Sequence, residues 1–521
     1  MMKLIWLFQN NDSSINNKTE FITPTQTFTY TDIYKAVAET IHILRHLGVH
    51  RGHQVVLICE HDESAVVFMA AASAIGIQIV MPYNLQNAAI SEWTDIIQKI
   101  NPDHVVYLRR DKAVEELQQA IAEDIHIIEL NEFVRCREEK DKDIIDIVVE
   151  NPDPVENFLV LFTSGTTGKA KAVSISESLV CKRIASVSKQ LKFNAEARIF
   201  MSGLMNNTTG IIFSFGAVLH DAKLIFPNGR VIEQWPQQVE NQRVTHIMLR
   251  PVALHRFVES ARDCDADLSS LRVMAYGAAA LPKKLLEEAR IFIPCEWIQG
   301  YGLSETFGPF CWLTEEDHKR KLYKENIYCV GRPDDSLDVS LYFSDITQKD
   351  VGEVILRGAG LMEGYLDIDS GQVQPVSEYF HTGDYGHFSK NGELILKGRI
   401  SNTILSKNGH RIYPEEIESV IAGIVGVKEV ILLGIPIDHN LGNTSVVCIY
   451  GSLTQKSNED ISRAILNQLT MQLSKEKWPD YIYPSCFPFP KSCNDKIIKG
   501  KVLQNIDEKS LIPISVLEEI A

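Results

Sequence analysis

The chain has 521 residues, of which 45% are hydrophobic and 23% charged, a composition typical of a folded enzyme with roughly two to four domains. Its formal net charge of −16 argues against a nucleic-acid-binding protein, because phosphate backbones are bound by basic surfaces. Its ten cysteines show neither a CxxC pair nor metal-ligand spacing, which predicts reduced thiols rather than disulfides or a zinc site.

The N-terminus holds a short apolar run, Leu4 to Phe8, before polar residues begin. This run of five residues is too short for the core of a signal peptide. No stretch of the sequence approaches the roughly 18 consecutive apolar residues of a membrane span. We therefore expect a cytoplasmic protein with no transmembrane segment.

Strand-like and helix-like segments alternate in the first quarter of the chain. Thr31 is the candidate N-cap of the first helix, and an apolar helix from Ser64 to Ile75 ends at Gly76. The strand-like runs around these helices are 27–30, 54–59, 77–81, 104–108 and 125–130. This alternation predicts an α/β fold with parallel sheets that are covered by helices.

The stretch 158–176, FLVLFTSGTTGKAKAVSIS, joins a buried strand to a turn rich in hydroxyl groups and glycine. Such a turn lets backbone N–H groups, hydroxyl groups and lysine approach an anion closely. A P-loop would have four residues between its glycines and a Ser or Thr after its lysine. Here two residues separate Gly165 from Gly168, and Ala170 follows Lys169. We therefore predict a polyphosphate-binding loop of another architecture, formed by Thr163, Ser164, Gly165, Thr166, Thr167, Gly168 and Lys171.

This loop resembles the signature TSGTTGxPKG of the adenylate-forming enzymes, a superfamily of acyl- and aryl-CoA synthetases, peptide-synthetase adenylation domains and luciferases. Three later segments resemble further motifs of the superfamily in the same order: QGYGLSET at 299–306, YFHTGD at 379–384 and PKSCNDKIIKGK at 490–501. The resemblance implies an α/β fold with a large N-terminal domain at 1–399, built of helix-covered sheets with a small distorted β-barrel portion. It also implies a small, mobile α+β lid domain at 400–521.

The resemblance also implies how the site binds ATP and Mg²⁺. The ring of Tyr301 would stack on adenine, the hydroxyl of Ser304 would reach the α-phosphate, and Glu305 would hold Mg²⁺. Asp384 would accept hydrogen bonds from both ribose hydroxyls, and Arg399 would make a second contact to ribose or phosphate. The remaining nucleotide contacts are small residues, which are also suited to tight packing alone: Gly277, Ala278 and Gly302.

Two further residues are assigned to activation of the acid, together with Thr163 and Glu305. Lys496 would bridge the substrate carboxylate and the α-phosphate, because an ammonium group can neutralise charge on both. Asn207 stands where many members of the superfamily have a histidine near the carboxylate. An amide can hydrogen-bond a carboxylate but carries no charge. The alternative is that Asn207 only caps the helix that follows it.

Other positions depart from the superfamily pattern or have a simpler interpretation. Ser401 stands where the hinge residue is usually Asp or Lys, and Asp495 replaces a glycine before the predicted catalytic lysine. Three carboxylates are expected on a solvated helix face rather than in catalysis: Glu415, Glu416 and Glu418.

These observations predict an ATP-dependent ligase that converts a small carboxylic acid to an acyl-adenylate and then to a thioester with coenzyme A. One alternative is an acyl-AMP ligase that loads the phosphopantetheine arm of an acyl carrier protein. Another, because departures cluster in the motifs, is a protein that binds nucleotide or acyl groups without turnover. The predicted acid pocket, at 206–210, 276–280 and 299–310, is small and neutral, which favours an uncharged aromatic or aliphatic acid.

Overall fold

The computed structural model describes most of the chain, and all structural statements below concern these described residues. They are 3–8, 18–59, 62–82, 90–108, 115–116, 119, 121, 125–130, 147, 149, 152–163, 171–279, 281, 283–320, 328–343, 350–406, 411–438, 443–452, 458–485, 487–491 and 497–520.

Twenty-one strands precede residue 400, and most are short. They are β1 Glu20–Ile22, β2 Thr27–Thr29, β3 Gln54–Ile58, β4 Gln78–Met81, β5 His104–Tyr107, β6 His126–Glu129, β7 Leu159–Thr163, β8 Lys171–Ile175, β9 Arg198–Phe200, β10 Lys223–Ile225, β11 His246–Leu249, β12 Val273–Gly277, β13 Glu296–Leu303, β14 Gly308–Leu313, β15 Cys329–Pro333, β16 Asp338–Tyr342, β17 Gly352–Arg357, β18 Gly364–Leu366, β19 Val373–Pro375, β20 Phe380–Phe388 and β21 Leu394–Arg399.

Six strands follow in the C-terminal part of the described chain. They are β22 Ile404–Leu405, β23 Arg411–Ile412, β24 Val427–Asp438, β25 Asn443–Ser452, β26 Tyr481–Ser485 and β27 Ile512–Pro513.

The described α-helices are distributed along the whole chain. They are α1 Tyr30–His46, α2 Glu63–Ile75, α3 Ile90–Ile100, α4 Glu177–Gln190, α5 Thr208–Leu219, α6 Trp235–Asn241, α7 Pro251–Asp263, α8 Lys283–Phe292, α9 Glu315–Lys319, α10 Pro414–Ala422, α11 Asn458–Gln472, α12 Lys499–Leu503 and α13 Ile514–Ile520.

Two large sheets form the part of the chain before residue 400. An eight-stranded sheet has the order β19-β18-β8-β7-β4-β3-β5-β6, and its strands β3 to β7 run parallel. A thirteen-stranded sheet has the order β16-β17-β20-β21-β15-β14-β13-β12-β11-β9-β10-β1-β2. Its strands from β1 to β13 are mainly parallel, and the strands from β14 onward continue it as an antiparallel extension. The predicted α/β architecture is confirmed.

The largest hydrophobic core lies between the two sheets. It contains Leu57 of the eight-stranded sheet and Ile199 of the thirteen-stranded sheet, together with helices that separate them. Every residue of α2 is buried, because this helix is covered on all sides. Gly76 ends α2 in the left-handed conformation at φ 87°, as its position after the apolar run predicted. The central parallel strands are largely buried, whereas the edge strand β6 is partly exposed.

The residues after 403 form cores of their own. One core joins Ile417 of α10 to Ile465 of α11 and Ile482 of β26, and a second lies on the other face of the β24-β25-β26-β27 sheet. This arrangement is the α+β unit that the sequence predicted at the C-terminus. The position of the domain boundary at 399/400 remains a prediction.

Two local predictions were wrong. The N-cap of α1 is Thr29 rather than Thr31, because Thr29 forms a reciprocal capping box with Asp32. The glutamates of α10 do not form a solvated face. Glu416 Oε1 accepts a hydrogen bond from Lys477 Nζ at 2.7 Å, and Glu418 Oε1 accepts one from the backbone N–H of Leu432 at 2.8 Å.

None of the helices in the described ranges is both long and apolar enough to pass through a lipid bilayer.

Candidate active site

The two ends of the predicted phosphate loop lie side by side. Thr163, the last residue of β7, pairs with Lys171, the first residue of β8, and the two strands are antiparallel. A P-loop instead leads from a strand into a helix, so this loop has the different architecture that its glycine spacing predicted. The loop residues Ser164, Gly165, Thr166, Thr167 and Gly168 lie outside the described residues.

Lys171 and Glu305 meet at the same tyrosine. The ammonium group of Lys171 lies 4.9 Å from the centre of the Tyr365 ring, a cation–π distance. The Tyr365 hydroxyl donates a hydrogen bond of 2.8 Å to Oε1 of Glu305. Burial raises the pKa of Tyr365, and the neighbouring Glu305 raises it further, so the phenol stays protonated as a donor. The base of the phosphate loop is thereby joined to the predicted metal-holding carboxylate.

Sequence reasoning missed Tyr365. It lies on β18, where it pairs with Val173 of β8, so topology brings it to the phosphate loop from almost 200 positions away. No local pattern marks it, because one tyrosine in a short strand is ordinary.

Asp384 is held by two residues of other motifs. Tyr301 donates a hydrogen bond of 2.6 Å from its hydroxyl to Oδ2 of Asp384, and Arg399 Nε lies 2.7 Å from Oδ1. Asp384 and Arg399 are register partners across β20 and β21. Only 5% of Asp384 is exposed, and burial raises the pKa of its carboxyl group, although Arg399 and Tyr301 act in the opposite direction. Glu305 is among the charges that raise this pKa, which places the two carboxylates in one electrostatic neighbourhood.

The predicted stacking surface at Tyr301 is built on closely packed backbone. The ring of Tyr301 meets Phe310 edge-on, with 5.2 Å between centroids. A Cβ atom on Gly277 would lie 2.3 Å from the carbonyl oxygen of Gly300, and one on Gly302 would lie 2.2 Å from the carbonyl oxygen of Gly308. These glycines are therefore required by strand packing, whatever they contact in a ligand.

The neighbouring positions of these motifs are strained or tightly wound. Ala278 has a positive φ of 66°, uncommon for a residue other than glycine. Ser304 opens the 3₁₀ turn Ser304–Thr306, which contains Glu305 and directly follows β13. The tyrosine, hydroxyl and carboxylate of the QGYGLSET motif thus emerge from the end of one strand.

Asn207 is the N-cap of α5. Its Oδ1 accepts a hydrogen bond of 3.1 Å from the backbone N–H of Gly210, which satisfies one of the unpaired donors of the first helical turn. The capping interpretation is therefore correct as a description of the geometry. A contact of the same amide with the substrate remains a prediction.

The C-terminal unit contacts the site through the strand that carries Asp384. Arg411 Nη1 donates a hydrogen bond of 3.0 Å to the hydroxyl of Tyr385, the residue after Asp384, and the ring of Tyr413 packs edge-on against Tyr385. The predicted catalytic Lys496 lies outside the described residues. The described residues on either side of it, Lys491 and Ile497, form an isolated antiparallel bridge.

The described donors and acceptors fit a magnesium nucleotide. Each oxygen of the buried Asp384 carboxylate has one partner, which leaves lone pairs for the two hydroxyls of a ribose. Within the described ranges, no cluster of three or more His, Cys, Asp or Glu side chains could hold a metal ion without help. Mg²⁺ needs no such cluster, because it is typically bound by one or two carboxylates together with the phosphates of its substrate.

A cavity lies next to these residues, between α4, α5 and strands β11 to β14. Its volume is about 40 Å³. All three predicted pocket segments contribute to its lining, through Thr208, Tyr276 and Gly300 respectively. The structure therefore places a cavity where the sequence predicted the acid pocket.

Comparison with known proteins supports the same family. A model of the family described as AMP-binding enzyme matches residues 8–366. Indoleacetate–CoA ligase of Aromatoleum aromaticum (strain DSM 19018 / LMG 30748 / EbN1) is 28% identical over 385 residues, covering 70% of this chain and 71% of that protein. The 2-succinylbenzoate–CoA ligase of Oceanobacillus iheyensis (strain DSM 14371 / CIP 107618 / JCM 11309 / KCTC 3954 / HTE831) is 23% identical over 497 residues, covering 95% and 98%.

The fold is also shared with a solved enzyme. The crystal structure of the anthranilate CoA ligase AuaEII in complex with anthranoyl-AMP superposes with a TM-score of 0.82 at 19% identity, covering 96% of this chain and 97% of that one. The predicted fold, including the C-terminal α+β unit, is confirmed. Because the family model covers more than half of the sequence, this chain belongs to the AMP-binding enzyme family.

Proposed function

We propose that this chain is an ATP-dependent acid–thiol ligase, which forms an acyl-adenylate and then a thioester. The observation that carries the proposal is the convergence of three distant motifs: Lys171 and Glu305 meet at Tyr365, and Tyr301, from the same motif as Glu305, donates a hydrogen bond to Asp384. The relatives named above are acid–CoA ligases, and the solved one holds an acyl-adenylate, which supports the same chemistry here.

In the first half-reaction the substrate carboxylate attacks the α-phosphorus of ATP, and pyrophosphate leaves. We assign the grip on the triphosphate to Thr163, Lys171 and the loop between them, and the ribose to Asp384 with Arg399. Tyr301 and Ser304 would contact the adenosine and the α-phosphate. Glu305 would hold Mg²⁺, which supplies charge neutralisation between the anionic carboxylate and the triphosphate.

Lys496 would neutralise charge on the carboxylate and the α-phosphate during this step. Replacing Lys496 with alanine should then lower adenylate formation by about a hundredfold or more, a typical loss for one electrostatic contact to the transition state. Hydrolysis or thiolysis of an adenylate added from outside should change much less. Equal losses in both half-reactions would remove Lys496 from this role.

In the second half-reaction a thiol attacks the carbonyl group of the adenylate and expels AMP. We propose a domain boundary at 399/400 with Ser401 as the hinge, so that residues 400–521 can turn between the two steps. Coenzyme A is the thiol we favour, because the relatives are named for it. A carrier protein's phosphopantetheine arm carries the same reacting thiol and is the alternative. The proposal includes a cytoplasmic location and no nucleic-acid partner.

The deciding experiment is acid-dependent exchange of labelled pyrophosphate into ATP, measured over a panel of carboxylic acids. Exchange with at least one acid is expected, followed by AMP release and thioester when coenzyme A is added. Exchange without thioester would favour the carrier-protein acceptor. Absence of exchange over the whole panel, with ATP binding retained, would favour a binding protein without turnover.

A further inference from the structure

The acid cavity adjoins the nucleotide site through consecutive residues of one strand. Gly300 of β13 lines the cavity, and the next residue, Tyr301, donates its hydrogen bond to Asp384. Tyr301 also packs against the same hydrophobic core as Trp312 of the cavity lining, so the nucleotide contact and the cavity adjoin each other. An acid in the cavity would therefore contact Gly300, the residue next to the nucleotide contact Tyr301.

The lining of the cavity carries no charged side chain. It consists mainly of aliphatic, aromatic and small residues. Its hydroxyl groups come from Thr208 and Thr209 in the first turn of α5 and from Tyr276 of β12. A charged substituent on the acid would have no partner there, and an unpaired buried charge is strongly unfavourable. The lining thus excludes acids with an ammonium group or a second carboxylate.

Trp312 forms one wall of this cavity, and its orientation is fixed from behind. Its indole Nε1 donates a hydrogen bond of 3.0 Å to Oδ2 of Asp334. The same oxygen lies 3.5 Å from Nη1 of Arg183, which is only 1% exposed and also donates to Ser336 Oγ at 2.7 Å. Turning the indole away would remove a partner from a buried charged pair, which is costly. The wall is therefore rigid.

The strand beside Trp312 leaves equally little room, because Gly300 is the register partner of Trp312 across β13 and β14. A Cβ atom on Gly300 would lie 2.7 Å from Cγ of Pro309 and 3.4 Å from Cζ3 of Trp312. The cavity volume of about 40 Å³ has room for about three water-sized groups. Extra methylene groups would have to displace Trp312 or the helices that pack on it.

From these observations we propose that the substrate is a compact, uncharged monocarboxylic acid, and that Trp312 is the residue that limits its length. Asp334 acts as a positioning residue, because it contacts the indole and not the cavity. This inference rests on the proposed function in that it takes the cavity to be the acid site.

The test compares wild type, Trp312→Ala and Trp312→Phe on butyrate, benzoate, octanoate, dodecanoate and glutarate. Acid-dependent pyrophosphate exchange and calorimetric binding of each acid are both measured. Trp235→Phe is the matched control, because this tryptophan is similarly buried but packs against Phe200 and does not line the cavity. The alanine variant can lose stability, and the milder Phe variant then carries the test.

Wild type should favour butyrate over benzoate, dodecanoate and glutarate by about tenfold or more, the discrimination that one methylene group can give in an apolar pocket. Both Trp312 variants should move the preference toward benzoate and octanoate, with the larger move in the alanine variant, while Trp235→Phe keeps the wild-type order. A wild-type preference for dodecanoate or glutarate, or an unchanged order in the Trp312 variants, would overturn the inference.

The two readouts keep this inference apart from the proposed function. Suppose that wild type binds only compact acids, that Trp312→Phe also binds larger ones, and that neither exchanges pyrophosphate. This result would support the cavity assignment and refute the ligase. Pyrophosphate exchange with the same order of acids in wild type and in the Trp312 variants would support the ligase and refute the cavity assignment.

Discussion

The hydroxyl of Tyr365 lies 2.8 Å from Oε1 of Glu305 and donates a hydrogen bond to it. The same ring receives the ammonium group of Lys171. One tyrosine therefore orients the carboxylate that we assign to Mg²⁺ and contacts the lysine at the base of the phosphate loop.

Tyr365→Phe keeps the ring under Lys171 but removes the donor to Glu305. A hydrogen bond to a charged group contributes about 1.5–3 kcal/mol, so kcat/KM for ATP should fall roughly 10- to 100-fold. The Mg²⁺ concentration at half-maximal exchange should rise as well. Tyr342→Phe, at a half-exposed tyrosine, is the control and should behave as wild type. An unaltered Mg²⁺ dependence in Tyr365→Phe would remove Tyr365 from the metal site.

Asp384→Asn should abolish ribose binding yet stabilise the protein at neutral pH. The pKa of Asp384 is raised by burial, so its ionised form is penalised in the folded state. The penalty is absent below the unfolded pKa of about 3.8 and grows as pH rises through the folded pKa. The Arg399 side chain is 40% exposed, so losing its ion pair with Asp384 should cost little folding stability.

Thermal unfolding of Asp384→Asn and wild type between about pH 4 and pH 8 checks this sign. The difference in melting temperature should grow with pH while exchange activity is lost by about a hundredfold or more. A variant that is less stable than wild type at neutral pH would contradict the assignment of a net burial penalty.

Asn207 can be tested with two substitutions that separate its cap from its substrate contact. Asn207→Ala removes the cap and should lower the free energy of unfolding by about 1 kcal/mol. Asn207→Asp keeps an oxygen for the N–H of Gly210, so stability should be retained. An aspartate has no N–H to donate, so kcat/KM for the acid should fall about tenfold or more. Wild-type kinetics in Asn207→Asp would reduce Asn207 to a helix cap.

Glu418 makes the C-terminal unit sensitive to pH. Burial raises the pKa of its carboxyl group from 4.5 to about 7, despite a hydrogen bond from the N–H of Leu432 that lowers it. Its destabilising effect is absent below about pH 4.5 and complete above about pH 7. Glu418→Gln keeps an acceptor for Leu432 and should unfold at a higher temperature than wild type at pH 8, with no difference near pH 4.5. Glu416→Gln, which loses an ion pair with Lys477, should not show this pH dependence.

The sequence predicted features that are encoded within a few consecutive residues. Gly76 ends its helix as the apolar run before it required. The motifs of Thr163, Glu305 and Asp384 lie together, linked through Lys171, Tyr365 and Tyr301, although each was identified from its own short stretch of sequence. Local chemistry was sufficient in these cases, because a turn, a strand or a motif carries its own signal.

The sequence did not predict contacts that depend on topology. Tyr365 reaches Glu305 only because β18 pairs with β8, and Asp334 meets Arg183 across more than 150 positions. The burial of Glu418 was missed for the same reason, since the strand that covers it lies outside its helix. Side chains of this kind are ordinary in the sequence and become specific only in three dimensions.

Asp384 and Tyr385 are joined by one peptide bond, yet the first contacts Tyr301 and Arg399 while the second contacts Arg411 and Tyr413 of the C-terminal unit. We therefore predict that the proposed ribose contact and the proposed hinge motion of residues 400–521 are coupled through this strand. Neighbouring side chains of one segment would then link the two without a dedicated relay.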